Sequence, residues 1–147
     1  MKQPRVRVGV VLVDEQDQIL LVRHRKGEKT YWLLPGGGLD YGEAMFACAA
    51  RELLEETGLT IEAERMLYVS EAINPDGSRH ILNLYVHGRV LGGTLTVPEG
   101  DVIDAIAWVP IAELPGLTLY PAIAEHLVAS HAEGFAHDVR YLGNRWT

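Results

Sequence analysis

The segment Gly36–Leu59, GGGLDYGEAMFACAARELLEETGL, limits the possible folds more than any other stretch of the chain. Three glycines precede a run that carries Glu43, Glu52, Glu55 and Glu56, with Arg51 as its one cation. The spacing predicts a helix from Glu43 to Thr57 that stops at Gly58, a residue suited to the left-handed position just past a helix end. At about 100° of rotation per residue, Glu56 lies near +40° and Glu55 near −60° from Glu52, so these three carboxylates share a face. Phe46, Ala47, Ala50, Leu53 and Leu54 fall on the other side and form the expected apolar stripe. The helix therefore packs on something, and its acidic arc looks elsewhere.

Crowded carboxylates repel and weaken a helix. A solvated acidic face normally relieves this with lysines four residues from its glutamates, but this helix has no lysine. Ala44, Cys48 and Ala49 flank the arc and leave room for a ligand. A bound hard cation offsets the repulsion. Mg²⁺ takes oxygen ligands, keeps several waters and often shares its shell with substrate phosphates. Glu43 falls roughly opposite Glu52, and Asp40 stands three residues before it, so the pair reads as a capping box with a structural role. Arg51 offers a planar fork for orienting carboxylates. The glycines let the backbone turn sharply and approach a ligand closely, which makes Gly37 a candidate substrate contact, with a plain turn as the alternative.

Around this segment the chain alternates short β-branched runs with turn residues. VRVGVVLVD, ILLVRHR, TYWLL, TIEAERMLYVSEAI, RHILNLYVHGRV and AIAWVPI read as strands, and PGGGLDYG as a loop. IAELPG and YPAIAEHLVAS read as helical pieces, while the tail HAEGFAHDVRYLGNRWT gives no clear pattern. The simplest packing is an α/β sandwich, a central mixed sheet with helices on its faces. A length of 147 residues suits one domain, residues 1–147. The net charge of −7 argues against a general binder of nucleic acid polymers or anionic membranes, but not against phosphate substrates once metal ions mask the carboxylates. One cysteine, Cys48, forms no internal disulfide and suits a reducing cytoplasm. The N-terminus has no signal-peptide pattern, and no apolar run approaches a membrane span.

Gly37, five residues, Glu43, seven residues, then Arg51-Glu52-Leu53-Leu54-Glu55-Glu56-Thr57-Gly58-Leu59 resembles the complete Nudix box. The order of elements is similar too, with a strand at LLVRHR, a Trp near LPGGG and AWVPIAEL late in the chain. The resemblance implies a Nudix fold, an α/β/α sandwich around a mixed sheet. It implies hydrolysis of the pyrophosphate linkage in a nucleoside diphosphate joined to another moiety, with Mg²⁺ or Mn²⁺. Carried over, Glu52, Glu55 and Glu56 would be metal ligands or the general base, with Glu52 favoured as base and the Gly36 carbonyl as a further ligand. Arg51 joins the catalytic set. A later acidic residue is expected from VPEGDVID, with Glu99 and Asp101 as candidates, a solvated loop as the alternative for either, and Asp104 nearby.

Arg23 and Arg25, on one face of the strand before the box, are candidates for substrate phosphates, with exposed surface arginines as the alternative. His80, Asn83 and His87 could touch a base or sugar, or simply pack. Pro75 stands sixteen residues past Leu59, where the family's ADP-ribose hydrolases carry a proline, yet NPDG would make a turn in any chain. The short form is more similar to MutT-type enzymes. The reading is therefore a small-molecule nucleotide substrate, a (deoxy)nucleoside triphosphate, with ADP-ribose as the alternative. A non-catalytic nucleotide-binding module is a further alternative, against which stands the full set of box glutamates. A homodimer is compatible with all of these.

Overall fold

The computed structural model describes residues 2–146. Its strands are β1 (Arg5–Val11), β2 (Gln18–Lys26), β3 (Lys29–Leu33), β4 (Gly36–Gly38), β5 (Leu59–Ile73), β6 (His80–Gly93), β7 (Ile103–Pro110) and β8 (Arg140–Asn144). The helices are α1 (Met45–Thr57) and α2 (Ala124–Ala132), with a 3-10 turn over Ile111–Gly116. Five strands form a mixed sheet in the order β4-β1-β6-β5-β8, and β3-β2-β7 form a smaller antiparallel sheet. β1 runs parallel to β6 and antiparallel to β4, which is what makes the larger sheet mixed.

Strand alternation divides the core into two layers. Val8, Val10 and Leu12 pack with Leu20, Val86 and the α1 residues Cys48, Ala49 and Leu53. Val11, Ile19, Leu21 and Tyr85 point the other way, toward Leu114 of the 3-10 turn and Ile123 and Leu127 beside and within α2. This is the expected α/β/α sandwich, with the second small sheet an addition to the single central one.

Three local expectations need correction. PGGGLDYG is not all loop, because its glycines form β4 and pair Gly36 with Gly9 and Gly37 with Val8. The tail contributes β8, which pairs with β5. The helix begins at Met45, capped by Ala44 without a side-chain bond, so Asp40 and Glu43 lie before it. Half of the capping-box pattern survives in that loop, where the Asp40 N–H donates to Glu43 Oε1 at 3.2 Å.

The face that α1 buries also differs from the expected stripe. Phe46 and Leu54 are 38% and 55% exposed, and Ala47 is exposed with them. The buried residues are Cys48, Ala49, Leu53 and Thr57. These lie within about 140° of Glu52 in the direction of Glu56 or close beside it. The helix thus lies on its small residues, so that Glu52 and Glu56 sit at the edge of the buried face instead of opposite it. The glycines of β4 make this possible.

Candidate active site

A Cβ on Gly37 would stand 2.2 Å from the Glu52 carboxyl carbon. A Cβ on Gly36, where φ is 154°, would stand 2.0 Å from the Val8 carbonyl oxygen. Only glycine fits at position 36, while at position 37 a side chain would displace the Glu52 carboxylate, so the missing side chains bring backbone and carboxylate together. The Gly36 N–H donates to Glu56 Oε1 at 3.1 Å. Burial lifts the Glu56 carboxyl above its ordinary range, against the pull of that N–H and of Arg7, and the neighbouring Glu52 adds to the rise. Glu52 is 18% exposed, whereas Glu55 is 60% exposed and reaches into solvent.

Arg51 holds the acidic group in order. Its Nε donates to Glu43 at 2.6 Å, and its Nη1 donates to Glu52 at 3.0 Å and Glu55 at 3.3 Å. The guanidinium lowers the Glu43 carboxyl to about 2 by hydrogen bonding. Glu43 is therefore the anchor of Arg51, not a helix cap. Cys48 lies under this cluster, where burial pushes its thiol up to about 11 and leaves no thiolate at neutral pH.

Glu52, Glu55 and Glu56 line one pocket of about 310 Å³ with the loop Pro98–Ile103, so Glu99 and Asp101 share it. Asp104 does not. It turns to β2, accepting from Arg23 Nε at 2.7 Å and Arg25 Nε at 3.2 Å, while Arg23 lies over Trp32. Arg23 and Arg25 share a face as expected, and that face is occupied by Asp104. Their neighbours His24 and Lys26 line a second cleft instead.

That cleft measures about 430 Å³ and was not anticipated from the sequence. Arg7, Lys26, Arg79 and Arg145 line it with no Asp or Glu among the described residues, together with Tyr31, Tyr120 and Trp146. Tyr31 and Tyr120 meet with ring centroids 5.3 Å apart, and His24 meets Tyr31 at 5.7 Å. Burial and the nearby Arg7 lower the His24 pKa, so the ring is neutral at pH 7. Arg7 connects the two sites: its Nη2 donates to the Leu34 carbonyl at 3.0 Å, and its charge acts on Glu56. A signal existed, since Arg7 is a cation alternating with apolar residues in RVRVGVV, but its destination depended on where β4 lay.

Of the other candidates, Asn83 lines the cleft, whereas His80 bonds Glu71 at 3.0 Å and His87 stacks on Phe135 at 4.8 Å. Pro75 is exposed in a turn whose Gly77 and Ser78 border a further concavity. No helix among the described residues is long and apolar enough to cross a membrane.

The donor set suits a hard divalent cation: ionisable carboxylates and a glycine carbonyl, with nothing soft among them. Among the described residues no three His, Cys, Asp or Glu side chains converge as they stand, because Arg51 lies between Glu43, Glu52 and Glu55. Such a site needs further oxygens from water and substrate, as Mg²⁺ sites usually do.

The chain is similar to the human 8-oxo-dGDP phosphatase NUDT18, with 36% identity over 74% of this chain and 33% of that protein. It resembles the structure of a MutT NUDIX hydrolase from Burkholderia pseudomallei, at 30% identity and a TM-score of 0.71, covering 87% of this chain and 98% of that one. It also resembles an ADP-ribose pyrophosphatase from Streptococcus suis, at 25% identity and a TM-score of 0.72, covering 95% and 99%. The chain spans between 33% and 61% of the length of the first curated relatives it matches. A NUDIX domain model matches residues 3–130, so the complete box, the α/β/α sandwich and the glycine strand are those of a chain that belongs to the NUDIX domain family.

Proposed function

We propose that the chain hydrolyses the pyrophosphate linkage of a nucleoside diphosphate joined to another moiety, with Mg²⁺ or Mn²⁺, and that its substrate is a (deoxy)nucleoside triphosphate or a close relative. The observation that carries this is the junction at β4. Box carboxylates meet the glycine strand at Gly36 and Gly37, and a basic, aromatic cleft is lined by Arg7 of the neighbouring β1, whose charge also acts on Glu56.

Glu52, Glu55, Glu56 and the Gly36 carbonyl would hold the metal, with Glu99 or Asp101 of the facing loop in reach of the same pocket. A bound divalent ion neutralises phosphate charge and lowers the pKa of its water. The chain does the rest. Arg51 fixes Glu52 from Nη1, and Glu52 accepts the proton of the attacking water. Tyr31 and Tyr120 offer a stacking surface for a base, and the cleft cations draw the polyphosphate in. Arg23 and Arg25 contribute to phosphate binding only on release from Asp104.

ADP-ribose is the second reading, supported by the resemblance to an ADP-ribose pyrophosphatase over nearly the whole chain. A nucleotide screen with Mg²⁺ or Mn²⁺, with products identified by mass, separates the two. A triphosphate yields a monophosphate and pyrophosphate, whereas ADP-ribose yields AMP and ribose 5-phosphate. No hydrolysis of any nucleotide with either metal would leave the module as a binder and refute the proposal.

A further inference from the structure

Beyond the cleft, two more concavities continue the basic surface. One, of about 180 Å³, is lined by Arg5, Arg7, Gly38 and Arg79 among others. The next, of about 510 Å³, lies between the N-terminal segment and the Asn74–Ser78 turn and is lined by Lys2, Arg5 and Arg79. Arg79 and Ile81 line all three. No Asp or Glu lines any of them, in a chain with 20 acidic residues and a net charge of −7.

Most arginines here have partners. Arg23, Arg25, Arg51, Arg89, Arg140 and Arg145 are each in an ion pair. Arg5 and Arg79 have none among the described residues, and no side-chain hydrogen bond there either. Both are exposed. β1 and β6 bring them to the same concavities, because Arg5 is paired in register with Ile81 and Arg79 stands just before β6, two residues ahead of Ile81. Two unpartnered guanidiniums, one at the start of β1 and one just before β6, lining the same concavity as Lys2, suit a dianion, since planar forks bind phosphate oxygens bidentately. The place is separate from the carboxylate pocket, which shares none of these lining residues.

We propose that Arg5 and Arg79 bind a second phosphate, a monoester on the nucleotide's sugar, apart from the pyrophosphate that is cleaved. The substrate class is then a nucleoside 5′-polyphosphate, or a nucleoside diphosphate derivative, that also carries a 2′- or 3′-phosphate. This rests on the pyrophosphohydrolase reading for its chemistry, but its test is binding and needs no turnover.

The four nucleoside 5′-monophosphates are compared by calorimetry with their 2′,5′- and 3′,5′-bisphosphates and with 5′-phosphorylated dinucleotides. For at least one base the bisphosphate should bind about tenfold or more tightly than the monophosphate, the gain expected of one charge-assisted contact. The ratio should fall to near one in Arg79→Ala and recover in part in Arg79→Lys. The dinucleotide, with a diester of single charge, should bind less well than the bisphosphate. A ratio within twofold for every base, no measurable binding by any bisphosphate, or a ratio unchanged in Arg79→Ala overturns the proposal. So does a dinucleotide that matches or exceeds the bisphosphate, which would assign the trough to an RNA chain. A protein that shows the gain but hydrolyses no nucleotide keeps this site and loses the pyrophosphohydrolase reading instead.

Discussion

Glu43, Glu55 and Glu56 lie within one cluster but stand in different environments, and their Gln variants should separate accordingly. Removing an electrostatic stabiliser of a transition state costs on the order of 10²–10³ in kcat. Glu55→Gln and Glu56→Gln should lose that much, and near wild-type turnover in both would sink a metal-assisted mechanism. Their stabilities should differ. The Glu56 carboxyl is raised above 4.5 in the folded state, so as pH rises through 4.5 and beyond, the unfolded chain releases a proton that the fold retains. The charge then opposes folding. In EDTA at pH 7, Glu56→Gln should melt higher than wild type, with the gain gone below pH 4.5; a lower melting point would show that the Gly36 N–H needs the charge. For Glu43 the sign reverses. Its carboxyl titrates near 2 when folded, so the stability it contributes is full above 4.5 and is lost as pH falls from there through about 2. Wild type and Glu43→Gln should differ at neutral pH and converge toward pH 2 in a melting series, with kcat of the variant within about an order of magnitude of wild type, since Glu43 acts on Arg51 and not on substrate.

At the scale of elements, β4 and α1 depend on one another. Gly37→Ala meets the Glu52 carboxylate and Gly36→Ala meets the Val8 backbone, and backbone yields less than a side chain. Gly36→Ala should therefore lower the melting temperature more than Gly37→Ala, whereas Gly37→Ala should lose activity with a smaller change in stability. Equal stability losses would show that the strand moves as a unit. Leu53→Ala empties a fully buried position under α1 and should cost about 2–5 kcal/mol in denaturant unfolding. The same elements show what could be read beforehand. The box helix, its end at Gly58 and six of the strands were legible, because periodicity and turn residues are local signals. β4 was not, since glycine is a poor strand former and only the tertiary approach to Val8 explains its presence. The burial of α1 through Cys48 and Ala49 was missed for a related reason. Hydrophobicity alone favours Phe46 and Leu54 for the core, but a close helix-to-glycine contact selects small residues.

For the whole molecule, net charge proved a poor guide to local charge. The value of −7 holds for the chain, yet the cleft lined by Arg7, Lys26, Arg79 and Arg145 has no Asp or Glu in its wall among the described residues. Exposed charges are screened over about 8 Å at physiological ionic strength. KM for an anionic substrate should therefore rise between low and high salt while kcat changes little; a KM independent of salt would mean that the cleft cations do not meet the substrate. The divalent ion should raise the melting temperature by mass action, more so with a non-hydrolysable nucleotide present. No shift at millimolar Mg²⁺ or Mn²⁺ with such an analogue would exclude the carboxylate pocket as its site.

The opposite charge of the two pockets also sets the traffic. The carboxylate pocket and the basic cleft have no lining residue in common, so each presents its own mouth to solvent. A cation approaching the first is repelled by the second, and an anion the reverse. Neither reactant has to wait for the other to clear a shared entrance. Initial rates measured against metal and nucleotide should then follow a random order of addition, with either able to load first, and a strictly compulsory order would show that one mouth closes until the other is filled.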